Sequence, residues 1–269
     1  MTTPTAAQLW QSGDLAGAIA AQVAMVKASP ADTDARSLLF ALLSFAGQWE
    51  RAGTHLRAMS AAENDLQRSV QFVRGLVTAE LHRLGVYEGE AVPVLPPQAP
   101  PHLEHRLAAL QAWRRQEYDA AASHLDAALD AQPELTGTVN GQAFAGWRDL
   151  DDLLGSVCEV FAGGRYLWLP WEWIRSLEVS IPERLPDLLW VPARLLHKDG
   201  EELTVNLPAL YAGSHAWGDP ALQLGRRTEW VGEAGLQRGC GQRLLAWAAA
   251  GGEVHELPLL ELRTLELTV

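Results

Sequence analysis

The stretch Gln11–Pro30, QSGDLAGAIAAQVAMVKASP, decides the fold of the first half of the chain, because its pattern recurs further along. Phe45–Asn64 reads FAGQWERAGTHLRAMSAAEN, and Gly47 in that stretch lies 34 positions after Gly13 (47 − 13). A period of about 34 residues is typical of tetratricopeptide-like helix–turn–helix repeats. Glycine suits the tight turn within each helix pair, because it adopts positive φ at no steric cost.

A third copy, RQEYDAAASHLDAALDAQP, occupies Arg115–Pro133. In every copy a large side chain can wedge between the two helices, and a small one three residues later lets their backbones approach. The large residues are Leu15, Trp49 and Tyr118, and the small ones are Ala18, Ala52 and Ala121. We therefore predict a tetratricopeptide-like helical domain over residues 1–136.

The segment between the second and third copies departs from this period. Asp65–Leu84 reads as one amphipathic helix, with Val70, Val73, Val77 and Leu81 near one face. The proline-rich run at 93–101 cannot continue a helix, since proline lacks the backbone N–H and fixes φ. We expect an extended, stiff connector that replaces half a repeat.

Glycines, tryptophans and β-branched residues replace the alanine-rich helices after Thr136. Short apolar runs predict strands at 156–161, 165–169, 188–196 and 202–208. Asp199-Gly200 is a hairpin signal between the last two strands, whereas Pro192 suggests an edge strand or a bulge. Three further elements are expected: a helix at 242–251, a last strand near 253–260, and a short helix within 144–154. The predicted fold class is α+β, in which the helical domain precedes a compact, mainly antiparallel α+β domain over 137–269.

The most aromatic stretch, Gly164–Trp173 with the sequence GRYLWLPWEW, is expected to contain two elements. A strand would place Tyr166 and Trp168 on one face, and Pro170 then fits the first position of a helical turn.

Apolar residues follow Pro170 at a spacing of three, at Trp171, Ile174 and Leu177. We predict that these three side chains pack inward on the helical turn. Trp173 is then left as the one exposed ring of the stretch. An exposed tryptophan is a suitable anchor for a partner protein.

Charge and cysteine usage limit the classes of partner and compartment. The 269 residues include 21 Lys and Arg against 33 Asp and Glu, for a formal net charge of −12. Nucleic acids and anionic membranes recruit clustered cations, so neither is expected as a main partner. The sequence lacks a leader pattern and an apolar run of about 18 residues, which favours a cytoplasmic protein. Cys158 and Cys240 are too few for a disulfide framework and are predicted to be reduced, buried thiols.

The residues that could carry chemistry form no catalytic, metal-binding or cofactor-binding pattern in the sequence. Asp149, Asp151 and Asp152 lack the glycine turn and distal glutamate of a calcium loop. We interpret these aspartates as helix-capping or solvated residues, with a functional contact as the other reading. Arg226-Arg227 would suit an acidic partner or a structural ion pair. The helical repeats could present a binding groove or act as a scaffold for the second domain.

Several unusual strings then occur in a fixed order: GRYLWLP, DLLWVP, LGRRTEW and GCGQR. Together they resemble the ImpE/SciE family, also called TagJ, of accessory proteins encoded with bacterial type VI secretion systems. The resemblance covers nearly the whole chain. It implies a cytoplasmic, non-enzymatic protein that binds the N-terminal helix of the small subunit of the contractile sheath. It also implies a link to the ClpV-type ATPase that recycles the contracted sheath.

The family resemblance carries over no catalytic residues, so partner-contact residues are chosen from the sequence itself. The candidates are Trp173, Arg175, Tyr211, Arg226, Arg227 and Trp230. The alternative function is an enzyme or small-ligand sensor with an aromatic pocket in the second domain. Arg227, Tyr211 and Glu229 would supply the polar groups of that pocket.

Overall fold

A computed structural model describes residues 4–59, 64–233, 235–249 and 251–268. Within these residues, the helices of the first half are α1 Ala6–Gln11, α2 Leu15–Ala28, α3 Thr33–Phe45, α4 Trp49–Met59, α5 Asn64–Glu88, α6 Pro101–Arg114 and α7 Tyr118–Ala131. The pairs α1/α2, α3/α4 and α6/α7 are the three repeats expected from the sequence. The predicted helical first half is confirmed, and its helix pairs are consistent with a tetratricopeptide-like repeat.

The turn inside each pair has the same backbone conformation. Gly13 has φ 88°, Gly47 has φ 66°, and Gln116 occupies the equivalent place in the third pair with φ 61°. The second helix of the first pair begins with a side-chain cap, because Asp14 Oδ1 accepts the N–H of Gly17 at 2.7 Å. The left-handed turn is thus a feature of the repeat, whether or not the residue is glycine.

The second half is built from antiparallel strands. They are β1 Thr136–Val139, β2 Gln142–Ala145, β3 Trp147–Asp149, β4 Val157–Ala162, β5 Arg165–Pro170, β6 Ile174–Val179, β7 Trp190–His197, β8 Glu202–Pro208, β9 Thr228–Glu233, β10 Leu236–Gly241, β11 Leu244–Ala248, β12 Val254–Pro258 and β13 Thr264–Thr268, with a short helix α8 Pro220–Gln223. The main sheet has the order β2-β1-β13-β6-β7-β8-β4-β5, beside a β9/β10 hairpin and a β12-β11-β3 sheet. These elements confirm the predicted α+β class.

Helix α5 and the proline-rich connector join the two halves. The 25 residues of α5 extend the predicted helix, and the chain after it crosses the edge of β5. There Val94 donates its N–H to the Tyr166 carbonyl at 3.1 Å and accepts the N–H of Trp168 at 3.1 Å. The connector therefore covers an edge strand that would otherwise be open to pairing. No helix in the described part of the chain is long and apolar enough to cross a bilayer.

Two predicted helices of the second half are wrong. Residues 242–251 contain β11, which is held between β3 and β12 with Leu245 and Trp247 facing the core. Residues 144–154 contain the end of β2, then β3 and a turn. In that turn the Asp151 N–H binds the Asp149 carboxylate at 2.8 Å, and the Leu153 N–H binds the Asp151 carboxylate at 3.0 Å. Such local side-chain bonds compete with helical ones. Strands β1, β6, β9, β10 and β13 were not predicted from the sequence.

Pro192 was predicted to mark an edge strand or a bulge. The edge strand is wrong, and no bulge lies at Pro192. Its strand, β7, is not an edge strand but lies between β6 and β8, and it pairs continuously with β8. The proline is tolerated because β6 ends at Val179, so no carbonyl of β6 requires an N–H from residue 192. The Pro192 carbonyl still accepts the Ser180 N–H at 2.9 Å. The bulge in this part of the sheet lies on β6.

That bulge explains the spacing of three in the aromatic stretch. The helical turn after Pro170 is a single 3₁₀ turn, Trp171–Trp173, and Ile174 already begins β6. The β6/β7 register shifts between Ile174 and Ser176, which adds one residue to the strand. Ile174 and Leu177 therefore both face inward, as predicted, although they lie on a strand and not on a helix.

One apolar core draws on both halves of the chain. Phe40 of α3 and Val86 of α5 belong to the same buried cluster as Trp168 and Trp190 of the sheet. A second cluster lies within the sheet half. The change from helices to strands falls between α7 and β1, near the expected boundary at residue 136. That each half is a separate domain stays a prediction.

Burial of the aromatic rings predicts a contrast in stability. Trp168 is 0% exposed, whereas Trp173 is half-buried, with the Lys198 ammonium 4.1 Å from its ring centroid. We expect Trp168→Ala to lower the free energy of unfolding by about 3–5 kcal/mol through the cavity it leaves. Trp173→Ala should cost about 1 kcal/mol or less. Urea denaturation would measure both, and equal losses would contradict the assigned burial.

Candidate functional site

Four charged side chains meet between α5 and the sheet and form what we call the buried charge cluster: Arg83, Glu159, Arg243 and Asp149. Arg83 donates Nε and Nη2 to the two oxygens of Glu159 at 2.9 and 2.8 Å. Arg243 donates Nη1 to Glu159 at 2.7 Å and Nε to Asp149 at 2.5 Å. Each side chain is at most 2% exposed. The cluster fixes the C-terminal half of α5 to strands β3 and β4.

Neutral donors complete this arrangement. Tyr87 and Tyr166 donate their hydroxyls to Glu159 Oε1 at 3.2 and 2.5 Å, and Trp190 donates Nε1 to Glu80 at 3.0 Å. The adjoining cavity of about 30 Å³ has room for little more than a water molecule. Because every charge is paired and the space is filled, the cluster suits structural connection better than catalysis.

The aspartates of the 149–152 stretch are buried partners of arginine, so their interpretation as capping or solvated residues is wrong for two of them. Asp149 and Asp151 are both 0% exposed. Asp151 accepts from Arg238 Nε at 2.8 Å and from a backbone N–H of β10 at 3.1 Å. Asp152 pairs with Arg148 at the surface. The sequence shows many acidic residues and fewer arginines in this half of the chain, but it does not show which aspartate pairs with which arginine.

A serine, a histidine and a glutamate that no sequence motif connects also line up between α6 and the sheet. Ser156 Oγ lies 2.9 Å from His102 Nδ1, and His102 Nε2 lies 2.6 Å from Glu172 Oε1. Arg106, however, donates Nε to the same serine oxygen at 2.8 Å, and all four residues are buried. A hydroxyl that accepts from a guanidinium and has no approach for a substrate is a poor nucleophile. These contacts attach α6 to β4.

Within the described ranges, no group of three or more His, Cys, Asp or Glu is arranged to hold a metal ion. Cys158 and Cys240 are free and buried, as predicted.

The buried charge cluster makes stability depend on pH. Burial alone raises the pKa of Glu159, but the charges of Arg83 and Arg243 outweigh it and lower the pKa to about 2. Burial raises the pKa of Asp149 to about 6, against the opposing charge of Arg243. The folded chain therefore binds a proton at Asp149 before the unfolded chain does, and at Glu159 after it.

The expected result has two pH windows. As pH falls from about 6 to about 4.5, protonation of Asp149 favours the folded chain. Below about 4.5 the unfolded chain protonates Glu159 first, so the stability that this residue contributes is lost toward pH 2. Urea midpoints measured at pH 7, 5 and 3.5 would check this. A midpoint that falls more between pH 7 and 5 than between pH 5 and 3.5 would contradict it.

A large open cleft lies beside this cluster, and we call it the apolar groove. It has a volume of about 470 Å³ and runs between α3, the end of α4, the first half of α5 and the 3₁₀ turn Leu185–Leu188. Its floor is buried and its rim carries Phe72, which is 51% exposed. The floor residues are Phe40, Leu56, Val70, Leu76 and Trp190.

Specific bonds hold the walls of the apolar groove in place. The buried Asp187 carboxylate accepts the N–H groups of Glu183 and Arg184 at 3.1 and 2.9 Å, which fixes the 3₁₀ turn. Asn206 donates its amide to the Trp190 carbonyl at 3.0 Å. The indole of Trp190 binds Glu80, so the floor of the groove is tied to the charged residues behind it. A rigid apolar cleft of this kind can bind the apolar face of a helix.

The candidate contact residues predicted from the sequence do not lie together in this groove. Trp173 ends the 3₁₀ turn before β6, where its ring packs against Lys198 and His197, and Arg175 is the second residue of β6. Arg175 is exposed. Tyr211 is only 2% exposed, so it is not available for direct contact with a partner.

The remaining candidates lie on and before the β9/β10 hairpin. Arg226 donates to the Gln11 carbonyl at 3.0 Å at the end of α1. Arg227 pairs with Asp219 at 2.7 Å and with Glu229 at 3.3 Å, which agrees with the structural reading of the arginine doublet. Trp230 is half-buried against Tyr211. Their role in partner binding stays a prediction.

The alternative ligand pocket is not assembled by these side chains. Tyr211 binds Asp149 at 3.1 Å and lines the 30 Å³ cavity, whose lining includes neither Arg227 nor Glu229. Those two residues pair with each other at the surface, each about half exposed.

Comparisons with known proteins agree with the fold and the residue patterns. A family model described as ImpE protein matches residues 141–266. The chain is 35% identical over 261 residues to the type VI secretion system accessory component TagJ of Pseudomonas aeruginosa, with coverage of 97% of this chain and 90% of that protein. Its fold is similar to the crystal structure of protein VPA1032 from Vibrio parahaemolyticus, with a TM-score of 0.88 at 24% identity. That similarity covers 98% of this chain and 97% of the other.

Proposed function

Because the chain belongs to the ImpE/TagJ family of type VI secretion accessory proteins, we propose that it is an adaptor that binds the N-terminal helix of the small sheath subunit. In this proposal the protein is cytoplasmic and non-enzymatic, and it serves the ClpV-dependent recycling of the contracted sheath. An accessory component of a secretion system acts within a larger assembly, so it is expected to bind other proteins.

The apolar groove is the observation that carries this proposal. Amphipathic helices commonly dock by laying apolar residues at positions i, i+3, i+4 and i+7 into a hydrophobic groove. The groove has a volume of about 470 Å³ and opens to solvent. Its floor is buried and apolar, and Phe72 lies on its rim. Helical repeats commonly use such clefts between helices for partner segments. We place the sheath helix there.

The charges of the groove also suit a mainly apolar contact. Asp34, Arg184 and Asp187 are the titratable residues among its described lining, and Asp187 is occupied by the backbone of the 3₁₀ turn. Affinity would therefore come from burial of apolar side chains, with the rim charges setting orientation.

A capture experiment tests the function. The purified protein should retain the full-length small sheath subunit and lose it when the N-terminal helix of that subunit is deleted. A peptide of that helix should compete for binding. Equal retention of the full-length and helix-deleted subunits would overturn the proposed mode of binding, and no retention of either would overturn the partner.

A further inference from the structure

A second groove, between α4 and α5, has a different chemical character. We call it the arginine groove. It has a volume of about 810 Å³ and is lined by Arg51 and Arg57 of α4 and by Arg74 of α5. Apolar side chains share this groove with the arginines, because Val77 and Leu81 of α5 also line it and Leu81 is 47% exposed. The groove between the two helices thus offers both cations and apolar surface.

The local charge is opposite to that of the whole chain. Glu50 is the single acidic residue among the described lining, against three arginines, whereas the chain has a net charge of −12. Arg51 contacts the neutral Gln48, and the Arg74 side chain has no hydrogen bond or ion pair within the described part of the chain.

The charge of the groove arginines also affects a neighbouring histidine. The pKa of His55, on α4, is lowered by burial and then by the charges of Arg36 and Arg51. Arg51 and Arg74 therefore leave positive charge in the groove that favours an acidic partner, whereas Arg57 bonds Thr54 of its own helix at 3.0 Å.

A glycine keeps the floor of the arginine groove open. Gly53 lies inside α4, where glycine weakens a helix. A Cβ at this position would meet only Arg57 Nη1, at 3.4 Å, which is ordinary van der Waals contact with a flexible side chain. Packing within the chain therefore does not require glycine here. A missing side chain on an open helix face lets a second backbone approach closely.

We propose that the arginine groove binds an acidic amphipathic helix of a partner protein. Its backbone crosses α4 at Gly53, its apolar residues contact Val77 and Leu81, and its carboxylates pair with Arg51 and Arg74. Extended polyanions are disfavoured because the surface beyond the groove is acidic overall. This site does not depend on what occupies the apolar groove, and it would give the adaptor a second partner.

Fluorescence anisotropy with a designed probe tests the proposal. The probe is a labelled synthetic helix of about five turns, with leucine along one face and glutamate flanking it. The matched probe carries lysine in place of glutamate. We expect the glutamate probe to bind at least about ten-fold more tightly than the lysine probe, with an affinity that falls as salt rises. A single-stranded oligonucleotide that binds as tightly as the glutamate probe would overturn the assignment to a peptide.

Two variants locate the site on this groove. Arg74→Glu should weaken binding of the glutamate probe by at least about ten-fold, whereas Arg165→Glu, an exposed arginine on β5, should not change it. Gly53→Leu should raise the melting temperature, because leucine is the better helix former, and yet abolish binding by filling the floor. Unchanged binding by Arg74→Glu or by a folded Gly53→Leu protein would overturn the proposal. Phe72→Glu in the apolar groove should leave the probe affinity unchanged, which separates this test from that of the sheath helix.

Discussion

Glu159→Ala is expected to lower the free energy of unfolding by about 3–5 kcal/mol, because it breaks a buried network of charge pairs. The substitution leaves the guanidinium groups of Arg83 and Arg243 buried at 2% exposure without their shared carboxylate. It also leaves the hydroxyls of Tyr87 and Tyr166 without their acceptor. Unpaired buried charges cost far more than the pair itself contributes. Urea denaturation followed by circular dichroism measures the loss.

A surface ion pair in the same sheet supplies the control. Glu178 pairs with Arg194, and their side chains are 57% and 77% exposed. Glu178→Ala should cost about 0.5 kcal/mol or less, because solvent already screens that pair. If both alanine variants lost the same stability, the charge cluster would not hold α5 against the sheet. Because one core includes residues of both halves, the helical and tryptophan signals of the Glu159→Ala protein should be lost together.

The helical half was predictable because its information is local. A turn with positive φ, a wedge residue and a small residue recur at fixed offsets, and each acts within one helix pair. Gln116 shows the limit of this reasoning, since it adopts φ 61° without being glycine. The contacts of its repeat, and not its own preference, hold that conformation.

The errors in the second half come from non-local contacts. The run 242–251 is rich in leucine and alanine, which favour helix, but β3 and β12 lie on either side of its core and impose a strand. The bulge in β6 likewise turns a spacing of three into a strand pattern. Neither the neighbours of β11 nor the bulge is visible in a stretch of ten residues.

The site was less predictable than the fold. The floor of the apolar groove joins Phe40 to Trp190, residues that the sequence separates by most of the chain. Their approach depends on how α3 packs on the turn before β7, which no motif records. Tyr211 illustrates the same difficulty, because a tyrosine chosen for a surface role is buried against Asp149.

Phe72→Glu is expected to weaken binding of the sheath helix by at least about thirty-fold, as loss of an aromatic hot spot of about 2 kcal/mol does. Phe72 lies on the rim of the apolar groove and is 51% exposed, so folding does not depend on its burial. A carboxylate at this position would have to be desolvated beneath an apolar partner face. The free energy of unfolding should change by about 0.5 kcal/mol or less.

Met25→Glu is the matched control for Phe72→Glu, since Met25 is a 54% exposed apolar residue on α2, outside the lining of the groove. Titration of the labelled sheath helix against both variants and the unmodified protein decides the location of the site. Weakening by Phe72→Glu alone assigns binding to the apolar groove. Equal weakening by both variants would indicate a general effect of surface charge. Full affinity of the Phe72→Glu protein would show that the sheath helix binds another surface. The proposed function would still stand if helix deletion abolished capture, because recognition of the helix and the place where it docks are separate claims.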